Sequence, residues 1–253
     1  ITRIMNLVVD IGNSSVKAAL FDGACLLSRQ RLEGPFADVL VRYCAGHVID
    51  ACAYCIVGAD ESVYHTVLQG IAPRVLRVTG ATPTPLVSLY RTPHTLGADR
   101  LAAVVGAASL YAKGALLVVD AGTCITYDYV DEHRHYLGGS ISPGLGIRLR
   151  ALHDQTAALP LVSAAGERPE VGYDTETAIR CGVLGGMEYE VAGTIAAWQT
   201  KHPHGTVCLT GGNAYRLAQG LHVQRHDCLV EIGLNYLLLH DTAATEASAH
   251  GAL

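Results

Sequence analysis

The chain has 253 residues, 18 Lys+Arg against 23 Asp+Glu for a net charge of −5, with only 16% charged residues and 27 glycines. Average chains carry about 25% charged residues and about 7% glycine, so this composition describes a compact chain with many tight turns and excludes disorder; mild acidity without a basic stripe excludes a nucleic-acid partner. The mean hydropathy of +0.27 does not signal a membrane, because the best apolar run, Ala115 to Val119, ends at Asp120, far short of the ~18 residues a span requires.

Met5 opens the first apolar run and reads as the true start, with residues 1–4 as a leftover ahead of it; nothing there resembles a secretory signal. An internal repeat organises the chain beyond Met5, and such a repeat is weighed before local patterns. Leu7-Val8-Val9-Asp10-Ile11-Gly12 returns as Leu117-Val118-Val119-Asp120-Ala121-Gly122. In each copy an apolar strand ends in Asp, a glycine turn with small hydroxyl residues comes next, and a second strand runs on, Val16 to Phe21 and Ile125 to Val130. Each copy reads as a hairpin with polar atoms at its tip. Core packing does not demand identity at the polar Asp or at the Gly, which sets the match apart from chance similarity.

The first hairpin is followed by a helix around Phe36 to Tyr43, a strand around Ala53 to Val57, a helix after Asp60, and strands around Val75 to Val78 and Pro85 to Leu89. A helix from Asp99 to about Ala112 closes this half, its apolar Leu101, Val104, Val105, Ala108 and Leu110 near helical spacing. The repeat divides the chain near Tyr111 to Gly114, predicting domains over 1–112 and 113–253. The second hairpin leads into Gly138 to Gly144, a helix to about Leu159, a loop over Gly166 to Asp174 and a long helix from Thr175 to Gln199. Gly182, Gly185 and Gly186 fall inside that helix; each costs about 1 kcal/mol against Ala, so they predict a close backbone approach or a break. Val207 to Thr210 is a strand entering Gly211-Gly212, a short helix starts at Ala214, and the last helix covers Val230 to His240, assigned to the second domain, before a frayed tail. Alternating strands and helices make this an α/β protein, with a cleft expected between the halves.

Eight cysteines suggest neither disulfides nor zinc. Cys52-x-x-Cys55 has no second pair at zinc spacing, and most of the others sit in apolar stretches as small hydrophobes, as expected of a reduced, cytoplasmic protein. His133, His135, His202 and His204 read as surface loop histidines.

Four segments carry chemistry. Asp10-x-Gly12-Asn13-Ser14-Ser15-x-Lys17 places amides, hydroxyls and one ammonium at a strand tip, which suits an oligophosphate; neither the Walker nor the Rossmann glycine pattern is present. Asp120 to Thr126 offers a second carboxylate and two hydroxyls in the same relation, so the two Asp residues fit one Mg²⁺-bound phosphate chain. Gly211-Gly212 is a third glycine turn, suited to the approach of a purine. In Leu96-Gly97-Ala98-Asp99-Arg100, taken alone, Asp99 reads as a helix N-cap and Arg100 as a first-turn surface residue; the functional alternative is a general base beside an anion anchor.

DIGNSSVK at 10–17, YRTPHTLGADR at 90–100, DAGTCIT at 120–126, GGSISPG at 138–144, DTETAIRCG at 174–182 and TGG at 210–212 stand in the order and spacing of the type III pantothenate kinases and together span nearly the whole chain. By these motifs the sequence resembles that family, a branch of the acetate kinase, sugar kinase, Hsp70 and actin superfamily. The resemblance implies an α/β fold of two duplicated actin-like, ribonuclease H-like domains with a central nucleotide cleft. It also implies ATP-dependent phosphorylation of pantothenate to 4′-phosphopantothenate, the first step towards coenzyme A, with Mg²⁺, an activating monovalent cation (K⁺ or NH₄⁺) and a homodimeric assembly. Carried over by position, Asp10, Ile11, Gly12, Asn13, Ser14, Ser15, Val16 and Lys17 resemble the first phosphate loop and Thr123 a second ATP contact. Asp99 resembles the base; Tyr90, Gly97, Ala98, Asp99, Arg100 and Thr175 resemble the pantothenate contacts, and Asp120 the monovalent-cation ligand. Ser14 stands where the family usually has Thr, and Gly58-Ala59-Asp60 replaces a Ser/Val/Pro-like ending. The competing expectations are a superfamily kinase for another small hydroxylated substrate and a kinase-like regulator without turnover.

Overall fold

The computed structural model describes residues 4–58, 60–217 and 220–241. Two compact units form, one from the chain up to Ala112 and again from Cys228, the other from Lys113 to Asp227.

The first unit is built on β1 (Ile4–Ile11), β2 (Val16–Asp22), β3 (Cys25–Leu32), β4 (Val48–Ile56) and β5 (Arg74–Arg77) in the order β3-β2-β1-β4-β5. The first three strands form an antiparallel meander, and β4 and β5 run parallel to β1. Consecutive Leu7, Val8 and Val9 are all buried, so β1 is a central strand covered on both faces, which is why its sequence is a continuous apolar run rather than an alternation. One face packs Met5, Leu7, Val9, Ile11 and Tyr54 with Leu40 of α1 (Phe36–Cys44) and Leu68 of α2 (Glu61–Gln69). Of the strand expected over Pro85 to Leu89, only β6 (Val87–Ser88) is extended.

Helix α3 (Ala98–Leu110) comes next in the same unit. The terminal helix, α7 (Leu229–Leu239), belongs here as well, packing on α3, β1, β4 and β2. The expected assignment of this helix to the second half is therefore corrected. Its polar anchors give the reason. Glu231, 1% exposed, accepts from Arg29 Nε at 2.6 Å. Asn235 accepts from Asn6 Nδ2 at 3.0 Å and donates to the Gly23 carbonyl at 2.9 Å. Every one of these partners lies on a strand or hairpin turn of the N-terminal sheet. Where α3 and α7 cross, a Cβ on Gly106 would land on the Leu229 carbonyl oxygen and one on Gly233 on the Ala102 carbonyl oxygen.

The second unit contains β7 (Leu116–Ala121), β8 (Cys124–Val130), β9 (His135–Pro143), α4 (Leu145–Asp154), α5 (Thr175–Lys201), β10 (Thr206–Thr210), α6 (Ala214–Leu217) and β11 (Gln224–Arg225). Its strands lie as β9-β8-β7-β10-β11 with the same antiparallel and parallel pairings as in the first unit. The sequence repeat is thus a repeat of topology. The 27 residues of α5 run without a break, and a Cβ on Gly182 or Gly186 meets nothing, while one on Gly185 makes only ordinary contact with Arg168 and Tyr189. The close approach or break expected at these glycines is absent. Buried Ile179, Val183, Met187, Val191 and Ile195, one every fourth position, hold the helix by packing, which outweighs local propensity.

Gly233→Ala is expected to lower the midpoint of urea unfolding, an overpacking loss of about 1–3 kcal/mol. Gly182→Ala is expected to leave it unchanged or raise it by up to about 1 kcal/mol.

Candidate active site

Asp10 closes β1, opposite Lys17 of β2 and Cys55 of β4. A carboxylate that is 6% exposed needs donors, and it has two: Lys17 Nζ reaches Oδ2 at 3.1 Å and the Cys55 thiol donates to Oδ1 at 3.5 Å. Beyond it the Gly12 amide donates to the Ser15 carbonyl at 3.0 Å and tightens the turn, leaving Asn13 and Ser14 exposed at the tip. The Val57 amide continues the parallel ladder by donating to the Ile11 carbonyl at 2.9 Å. Gly58 has a φ of +73°, and a Cβ there would lie 2.5 Å from Asn13 Oδ1. The departure at Gly58 therefore bears on the phosphate-type turn itself, whereas Asp60 caps α2 by accepting from the Ser62 amide at 3.1 Å; Ala59 lies outside the described residues.

The Tyr90 to Arg100 segment corrects two simple expectations. The N-cap of α3 is Gly97, and Asp99 is the second helical residue, its Oδ1 accepting from the Arg100 amide at 2.9 Å. Arg100 is not a surface residue: it is 7% exposed, with its guanidinium carbon 5.9 Å from the centroid of the Tyr90 ring, within cation–π range. Neighbouring Ala98 is buried and Asp99 half-buried. Burial, then the Asp10 and Asp99 carboxylates, then Glu231, push the Cys55 thiol well above its ordinary pKa.

In the second unit Asp120 closes β7, opposite Thr126 of β8 and Thr210 of β10. This hairpin is one residue shorter, since Ala121 pairs with Ile125 where Ile11 pairs with Val16. Thr126 consequently occupies the place of Lys17, and buried Thr210 that of Cys55. The Gly122 amide donates to the Cys124 carbonyl at 2.9 Å, and Thr123 is exposed. Two other glycine turns lie against this one. The Gly144 amide donates to the Thr123 carbonyl at 3.1 Å, and a Cβ on Gly144 would overlap that carbonyl. Gly211, at φ +95°, has no room for a Cβ beside Asp120 Oδ1. Among the described residues no three His, Cys, Asp or Glu side chains are arranged to hold a metal ion.

Thr175 is exposed at the start of α5, directly after Asp174, which accepts from the Thr177 amide at 2.8 Å while Thr177 Oγ1 accepts from the Asp174 amide at 3.1 Å. This capping box is written in Asp174-x-x-Thr177 but was not among the expectations. Neither was Arg180, whose buried guanidinium holds the preceding loop through the Ser163 carbonyl at 3.0 Å and pairs with Glu176 one turn earlier on α5 at 2.6 Å. Nor was a third cluster: Arg148 donates to the Pro143 carbonyl at 2.7 Å and Ser142 Oγ at 3.0 Å and pairs with Glu190, to which the Tyr127 hydroxyl donates at 2.7 Å. It ties the end of the Gly138 to Gly144 motif to α4 and α5.

Two copies of one five-stranded topology, each with a glycine turn after its Asp-bearing first strand, give the chain a fold of duplicated actin-like, ribonuclease H-like domains. Solved structures share the fold. A Campylobacter jejuni protein described as a Baf family transcriptional activator aligns with TM-score 0.58 at 21% identity, covering 94% of this chain and 99% of its own. A ROK family glucokinase from Streptomyces griseus, in complex with glucose and AMPPNP, aligns with TM-score 0.53 at 11% identity, covering 93% and 99%. The type III pantothenate kinase family model matches residues 6–197, and a type III pantothenate kinase of Bacteroides fragilis is 46% identical over 212 residues, 83% of this chain and 87% of that one. The chain belongs to the type III pantothenate kinase family.

Burial opposes ionisation of Glu190, but hydrogen bonds from Arg148, Tyr127 and Ser142 prevail and hold its carboxyl below the ordinary value of 4.5. A depressed acid stabilises above its unfolded pKa and loses that contribution as pH falls through the folded one. The stability gap between the protein and Glu190→Gln, read by urea unfolding, is therefore expected to be full at neutral pH and to shrink as pH falls below about 4.5.

Proposed function

We propose that the protein transfers the γ-phosphoryl group of ATP to the primary hydroxyl of pantothenate, giving 4′-phosphopantothenate, with Asp99 as the base. The observation that carries this reading is the Asp10–Lys17 turn beyond β1, with Asp10 held by Lys17 and Cys55, and Asp99 in the first turn of α3 in the same unit. Phosphoryl transfer is mostly positioning and charge neutralisation. The turn's amides and Lys17 supply both for the phosphates, and exposed Asn13 and Ser14 add polar groups at the tip. Asp10 offers hard oxygen ligands of the kind Mg²⁺ prefers; when bound, the ion neutralises phosphate charge. Asp99 orients the substrate hydroxyl and accepts its proton late in the transfer.

Arg100, buried and steadied by Tyr90, serves as an anion anchor for the pantothenate carboxylate, and Tyr90, Gly97, Ala98 and Thr175 complete the substrate contacts. Thr123 contacts ATP. Asp120 would hold a K⁺ or NH₄⁺ ion, which would supply positive charge beside the phosphates. The working protein is a cytoplasmic homodimer.

A coupled assay with pantothenate, ATP and Mg²⁺ is expected to show turnover that rises on adding K⁺. If a sugar or short hydroxy acid is phosphorylated and pantothenate is not, the substrate assignment fails. Asp99→Asn is expected to lose at least about 10²-fold in kcat while calorimetry shows ATP binding intact; retained turnover would remove Asp99 from the base role.

A further inference from the structure

We propose that Cys55 is a positioning residue: its thiol holds the Asp10 carboxylate in the orientation that Mg²⁺-ATP requires. The inference rests on the reading that Asp10 works at the phosphate end. Asp10 has two oxygens and each has one donor, Lys17 Nζ on Oδ2 at 3.1 Å and Cys55 Sγ on Oδ1 at 3.5 Å. Lys17 sits on the antiparallel neighbour of β1 and Cys55 on the parallel neighbour, so the carboxylate is gripped from both sides and cannot rotate without breaking one grip. Cys55 is fully buried, whereas Lys17 is 30% exposed at its side chain. The ammonium is the solvent-facing grip and the thiol the enclosed one.

The other cysteine of the pair serves as a contrast. Cys52, three positions earlier on β4, donates to the carbonyl of Ala53, at 3.7 Å, and packs in the apolar core. The duplicated unit supplies an independent comparison: the residue opposite Asp120 on its parallel neighbour is Thr210, buried and again carrying a short side-chain donor.

The test is MgATP binding by calorimetry, with kcat, KM for ATP and the Mg²⁺ activation midpoint, for the full chain and for Cys55→Ser and Cys55→Ala. Cys55→Ser keeps a donor and is expected to stay within about twofold of the parent. Cys55→Ala is expected to weaken MgATP binding and raise the Mg²⁺ midpoint by about tenfold, the scale of a lost hydrogen bond to a charged acceptor. A purely packing role predicts the opposite order, because serine introduces a hydroxyl where alanine introduces none; Cys55→Ala binding MgATP as well as the parent would overturn the proposal. If Cys55→Ala does not fold, the isosteric pair Cys55→Thr and Cys55→Val asks the same question, with the same expected order. MgATP binding unchanged in Asp10→Asn would also overturn it, since nothing would then be positioned. Failure to phosphorylate pantothenate would overturn only the substrate reading, because the binding comparison does not use pantothenate.

Discussion

A carboxylate at the end of a fully covered central strand is the constraint on which the rest of the first unit depends. Asp10 comes after three consecutive buried residues and is itself nearly buried, and an unpaired ion in such a place is costly. Its neighbours across both ladders must therefore carry donors, which the pairing achieves with Lys17 on one side and Cys55 on the other. The tight turn that brings Lys17 back opposite Asp10 also exposes the polar tip residues. One register thus stabilises the charge and assembles the anion-binding turn.

The same strand end appears in the second unit with a different charge balance. The shorter hairpin puts Thr126 opposite Asp120 where the longer one puts Lys17 opposite Asp10. Across that ladder Asp120 faces a hydroxyl residue, and the glycines at 144 and 211 bring backbone against the loop. Duplication supplied the geometry, and a single-residue difference in loop length changed which side chain faces each Asp across its hairpin.

Helix α7 shows how far packing reaches beyond chain order. Close approach to α3 requires Gly106 and Gly233, since a methyl group at either would occupy the position of a backbone carbonyl. Buried Glu231 and Asn235 then choose their sheet by hydrogen bonding to Arg29, Asn6 and Gly23. Leaving such a buried group without a partner would cost about 1–3 kcal/mol. Because Asp99 lies in the first turn of α3, the anchoring of α7 also steadies the candidate base.

Most of the helices, the central strands and the glycine turns were legible in the amino-acid order, because apolar periodicity and the repeated Asp-x-Gly are local signals. Edge strand β3 was not: Cys25–Leu32 is mostly exposed and polar, held by its ladder rather than by burial, so no alternation marks it. At the site, sequence by itself determined which chemical groups are present: two Asp-ended turns, Lys17, the Gly97 to Arg100 segment and the six motifs of the family. Only tertiary structure decided that Gly97 rather than Asp99 caps α3, that Arg100 is buried against Tyr90 and that Asp10 shares its charge between Lys17 and Cys55. The reason is physical. A side chain's burial and its hydrogen-bond partner are properties of what the fold brings against it, and in an α/β sheet that partner lies on a strand or helix far away along the chain.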